Sequence, residues 1–109
     1  MTRLELIKLI GDVLTRIDVL RGSLSPGEPN RIALDGIRKD LDASQLQLSK
    51  NQFDDNTQAF IKATAELDAI NADLQETIKS INKVAETLTN LKRLVAAVDG
   101  IVGAVLPIV

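Results

Sequence analysis

From Leu46 to Val102 every seventh residue of the chain is apolar: Leu46, Phe53, Phe60, Leu67, Leu74, Ile81, Leu88, Val95 and Val102. A second series joins from Ile70 onward, through Val84, Leu91, Val98 and Val105, with Thr77 as its one polar interruption. Two interleaved positions at spacings of three and four are the seam of a coiled coil or helical bundle, and a strand has no use for that period. Neither Gly nor Pro occurs between Gly36 and Gly100, so the backbone has no local reason to end the helix. The pattern predicts an all-α chain, a helical bundle or coiled coil, with two shorter N-terminal helices and one long C-terminal helix. That helix is expected over residues 55–106, close to ~75 Å at about 1.5 Å per residue.

The N-terminal part reads as a helical hairpin over residues 1–49. Thr2 and Glu5 have the spacing of a capping box, in which each side chain satisfies the other's backbone amide. Behind them Leu4, Ile7, Ile10, Leu14, Ile17 and Leu24 form a stripe that Leu6, Val13 and Leu20 widen, predicting a helix over 2–23. Asp12 and Arg16 have the i,i+4 spacing of a surface ion pair. Gly11 in the middle of this helix costs about 1 kcal/mol relative to Ala and points to close approach of a neighbour. Ser25-Pro26-Gly27-Glu28-Pro29-Asn30 is a turn, and Pro26 or Pro29 suits the first position of the next helix. Helix two carries Leu34, Ile37, Leu41 and Leu48 inward, with Arg31–Asp35, Asp35–Lys39 and Arg38–Asp42 as outer i,i+4 pairs. Beyond Leu48 the stripe falls out of phase with the long seam where Ser49, Asn51, Asp54, Asp55 and Asn56 cluster as N-cap candidates. That clustering favours a turn near 50–55 over a continuous helix.

On this reading the two short helices, each about 33 Å long, cover less than half of the long one. The apolar seam of Leu74, Ile81, Val84, Leu88, Leu91, Val95, Val98, Val102 and Val105 is then left without a partner inside the chain. Ordering residues 80–105 costs on the order of 40 kcal/mol. Burial returns ~1.5–3 kcal/mol for each large apolar side chain only when something covers it. The expected function is a non-enzymatic interaction module that forms a homo-oligomer or binds a helical protein partner through this seam.

The segment 94–109 supports a competing class, a membrane-active or membrane-surface helical protein. Asp99 is its one charge, and Ala96, Gly100 and Ala104 form a line of small residues. Its 16 residues reach about 24 Å, short of the ~30 Å hydrocarbon core, and Asp99 opposes insertion.

Chemistry finds little to work with. The chain has no Cys, His, Trp or Tyr, which removes the thiolate nucleophile, the imidazole base and most transition-metal ligands. Asp40/Asp42, Asp54-Asp55 and Asp68/Asp73 are the close carboxylate groups, and cap or solvated roles suit them better than metal or acid–base work. No phosphate loop, dinucleotide glycine pattern or nucleophile elbow occurs. No catalytic, cofactor-binding or metal site is expected. The 13 basic and 15 acidic side chains are spread along the whole chain, without the basic excess that phosphate neutralisation needs, so nucleic acid is not an expected partner. Glu5, Lys8 and Asp12 break the first apolar stretch, unlike a secretory leader. The cytoplasm is the expected location, with export lacking a cleaved leader as the alternative. Circular dichroism of the full chain is expected to report more than about half helix, since the seam has no strand-period reading; a lower value would remove the all-α assignment.

Overall fold

The computed structural model describes residues 1–50 and 57–105, with the side chains of Ala59, Ala104 and Val105 outside that set. The described residues form four helices and no strand: α1 (Arg3–Gly22), α2 (Pro29–Lys50), α3 (Gln58–Thr77) and α4 (Val84–Val105), the last entered through a short 3₁₀ turn, Ile81–Lys83.

α1 begins as its sequence predicts. Thr2 Oγ1 accepts from the Glu5 amide at 3.1 Å, and Glu5 Oε1 accepts from the Thr2 amide at 3.2 Å. Its buried face centres on Leu6, Ile10, Val13, Ile17 and Leu20, rotated from the expected stripe, so Ile7 is half-buried and Leu4 is 71% exposed. The turn that follows closes with the Glu28 amide donating to Ser25 O at 3.1 Å. Gly27 has φ +89°, a left-handed conformation that glycine adopts without strain, and Pro29 opens α2. Antiparallel packing of α1 on α2 is tied at both ends, by Arg3 Nη1 donating to Leu48 O at 3.3 Å and Arg31 Nη1 donating to Leu24 O at 3.0 Å. One turn in from the first of these, Gln45 Nε2 donates to Ile7 O at 3.1 Å, and a Cβ on Gly11 would lie 3.2 Å from that nitrogen. Gly11 therefore makes room for a side chain reaching over from α2.

The single long helix expected over 55–106 does not form. α3 starts at an N-cap, Thr57 Oγ1 accepting from the Phe60 amide at 3.3 Å, and stops at Thr77. Ser80 is extended (φ −121°, ψ 123°), and α4 returns antiparallel to α3. The turn expected near 50–55 falls mainly on residues 51–56, outside the described set. The reason for the break at 78–80 is energetic rather than a Gly or Pro signal. Interrupting the helix forfeits a few backbone hydrogen bonds, worth about 1 kcal/mol each. Folding back lets Phe60, Leu67, Leu74 and Ile78 bury against Leu91, Leu94, Val98 and Ile101, at ~1.5–3 kcal/mol for each side chain. Burial wins. Thr77 eases the change of direction: its hydroxyl donates to Leu74 O at 3.2 Å and accepts from Asn90 Nδ2 at 3.3 Å.

The unbroken heptad series therefore is not one face. Phe60, Leu67 and Leu74 are fully buried, whereas beyond the turn the same series runs through exposed Ile81 and half-buried Leu88, Val95 and Val102. The centre of α4 is instead Thr87, Leu91, Leu94, Val98 and Ile101, each 0% exposed. This face packs on both α3 and α2. Ser44 Oγ donates to Asp99 Oδ1 at 3.0 Å, which brings the C-terminal halves of α2 and α4 together. The longest dimension of the molecule is 41 Å.

Thr87 is the one residue of that face with an unmet demand: its hydroxyl has no hydrogen-bond partner among the described residues. A buried unpaired hydroxyl costs stability that a methyl in its place would not. Thr87→Val is expected to raise unfolding stability by about 1 kcal/mol, and Leu91→Ala to lower it by ~2–5 kcal/mol, in urea titrations of the two variants beside wild type. A destabilised Thr87→Val would mean the hydroxyl is satisfied in solution.

Candidate interaction surface

α2 packs on α1, α4 on α2 and α3 on α4, while α1 and α3 barely touch. The ring of helices thus has one open side. Along it runs a groove of about 820 Å³ with Met1, just ahead of α1, and Leu9 and Val13 of α1 as apolar lining, and Asn71 and Gln75 from α3. A second hollow of about 360 Å³ shares Arg16 and Val19 with the first and ends at Leu20, Ile78 and Ile81. The N-terminal half of α1 lies with the body of α3, and its C-terminal end with Ile78 and Ile81, so the two helices run the same way along the groove. The α3 wall is uncharged at this point, with Gln75 Nε2 donating to Asn71 Oδ1 at 3.2 Å.

Charge divides α1 into two edges. On the α2 side every charge is engaged: Arg38 Nε donates to Asp18 Oδ1 at 2.6 Å and its Nη2 to Oδ2 at 3.3 Å, Arg21 Nη1 donates to Asp18 at 3.0 Å, and Arg21 Nε lies against Asp35. These cross-hairpin partners replace the i,i+4 pairs Arg31–Asp35 and Arg38–Asp42 expected along α2. The hydrogen bond from Arg38 is the largest influence on Asp18; burial opposes it, but the charge of Arg38 and the hydrogen bond and charge of Arg21 add to it and hold the carboxyl below its ordinary range, and Asp18 in turn holds Arg38 more firmly protonated. On the groove side Lys8, Asp12 and Arg16 are exposed and make no ion pair with a described residue. The Asp12–Arg16 pair that the spacing suggests is not made.

The seam proposed from the heptads is dispersed by the turn at 78–80. Leu74, Leu91 and Val98 are core residues, Val84, Leu88, Val95 and Val102 are half-buried against that core, and Ile81 is 44% exposed at the end of the groove. Val105 lies outside the described side chains. The apolar face of residues 80–105 that was expected to lack a partner in the chain is covered largely by α3 and α2. Asp99, expected as a lone charge in an apolar tail, is bonded to Ser44. Of the carboxylate groups, Asp40, Asp42 and Asp68 are exposed, Asp73 accepts from Arg93 Nη1 at 3.1 Å, and Asp54-Asp55 lie outside the described residues. Among the described residues no cluster of three or more acidic side chains could hold a metal ion, and no helix is long and apolar enough to cross a membrane. The groove itself escaped the sequence reading. Its one legible signal was Val19, an apolar residue outside the predicted stripe of α1, which lines the groove and is 71% exposed.

Comparison with family models, curated proteins and solved structures finds no match to this chain.

The engaged edge makes a pH-dependent contribution whose sign is set. Folding lowers the Asp18 pKa, so its contribution is complete above the ordinary carboxylate value near ~3.9 and is lost as pH falls through the lower folded value. The stability difference between wild type and Asp18→Asn, followed by urea unfolding at stepped pH, is expected to hold steady from about pH 7 to 5 and to shrink below about pH 4. Parallel losses in both proteins would mean that Asp18 is not the linked group.

Proposed function

We propose that this chain is a non-enzymatic helical interaction module, a helical bundle with one side left open, whose docking surface is the groove between α1 and α3. The observation that carries this reading is the combination along one groove of an apolar lining, two exposed aliphatic side chains (Val19 and Ile81) and three charges that make no ion pair with a described residue. A groove between two helices that run side by side is what an amphipathic partner helix fits, its apolar face inward and its flanks meeting the charged rim. Of the seam residues whose side chains are described, Ile81 borders the groove.

The membrane-associating alternative draws on the sparsely charged segment 94–109. Leu94, Val98 and Ile101 are committed to the core, and Asp99 is anchored to α2, so residues 94–103 have little apolar face to offer a bilayer without unfolding.

A photo-crosslinking side chain placed at Thr15 or Val19 is expected to give a discrete adduct in cells that express the protein, and the same probe at Ile32, exposed on α2, to give none. Equal labelling from all three positions, or none from Thr15 and Val19, would count against the groove.

A further inference from the structure

We infer that the occupant of the groove is a second copy of this chain, bound about a twofold axis with its α1 antiparallel to the first. The inference rests on the groove reading above and deepens it. The outward face of α1 carries, in order, Leu4, Glu5, Lys8, Asp12, Arg16 and Val19. Read backwards with the signs of charge exchanged, the order is the same. An antiparallel pair of such helices centred between Lys8 and Asp12 therefore sets Lys8 against the Asp12 of the other copy and Glu5 against its Arg16, each twice by symmetry. At both ends Leu4 comes within a turn of Val19 of the other copy, so each cluster of exposed aliphatic side chains meets its counterpart. A parallel pairing in register would set Lys8 on Lys8 and Asp12 on Asp12 and is rejected by charge.

Two features of the free chain fit this arrangement. Lys8, Asp12 and Arg16 make no ion pair with a described residue, whereas the charges on the opposite edge of α1 all have partners. The α3 wall of the groove is uncharged at Asn71 and Gln75, so it presents nothing that would repel either sign on the incoming helix. The surface is narrow and its centre polar, which is the composition of a weak, reversible dimer rather than an obligate one.

The test uses sedimentation equilibrium on the full chain, with circular dichroism to establish that each variant is folded; both substituted side chains are exposed. Wild type is expected to dimerise reversibly, more weakly as salt is added. Lys8→Glu sets acid against acid twice and Asp12→Lys sets base against base twice, so each alone is expected to weaken association by at least about tenfold. An equimolar mixture of the two single variants, and the double variant K8E/D12K, restore opposite charges at every contact and are expected to dimerise again. Folded single variants that associate as wild type does, or that stay monomeric when mixed, would overturn the antiparallel register. Wild type that sediments as a monomer up to about 1 mM would overturn the homodimer. In that case the groove reading stands or falls separately, on whether the adducts from Thr15 and Val19 have the mass of a different protein.

Discussion

A helix running from Gln58 to Val105 with apolar residues along its whole length needs something to cover it, and between Ile78 and Lys83 this chain turns to supply the cover from itself. Everything else in the molecule is arranged around that reversal. It sets α3 against α4, makes Leu91, Leu94, Val98 and Ile101 the shared centre of the core, and gives α2 an apolar face on which to dock. The cost is a short interruption in backbone hydrogen bonding, and Thr77 moderates it by bonding within its own turn and across to Asn90. Without the reversal the chain would be a rod nearly twice as long as the molecule's 41 Å long axis.

The junction between the two hairpins runs through α2 and α4, with Leu34, Leu41 and Leu48 on one side and Ser44–Asp99 fastening the far end. Since α4 serves both α2 and α3, α1 and α3 are held on the same side of the molecule without being drawn together. Asn71 and Gln75 occupy the position on α3 where apolar side chains would have closed the ring. Among the described residues, polar side chains on α3 thus coincide with the opening.

Electrostatics follows the same division. The edge of α1 that meets α2 is laced by Asp18, Arg21, Asp35 and Arg38, contacts that fix the hairpin's register more than its stability, since exposed ion pairs contribute at most about 1 kcal/mol each. On the edge of α1 that meets the groove, Lys8, Asp12 and Arg16 make no ion pair with a described residue, so the two edges of one helix differ in how far the fold itself uses their charge.

The sequence by itself determined the helical class, the capping box at Thr2 and Glu5, the turn at 25–30 with Pro29 opening α2, and the inward residues of α2. Each of these depends on local chemistry: a side chain reaching its own backbone, a glycine at positive φ, a period of 3.6 on one element. It also held the reason for Gly11, although not the identity of Gln45 as the neighbour. Only the tertiary structure decided where the long heptad run would break, because no residue at 78–80 forbids helix and the driving force is burial between segments that the sequence keeps apart. The same holds for which half of each stripe is buried. A heptad series stays in phase across Ile81 in one dimension, but once the chain reverses there, the face that meets the core is set by the neighbours α4 finds, and Leu94 and Ile101 displace Leu88 and Val95 from its centre. The groove arises at the same level, since it belongs to two helices that lie far apart in the chain and meet only through the helices between them.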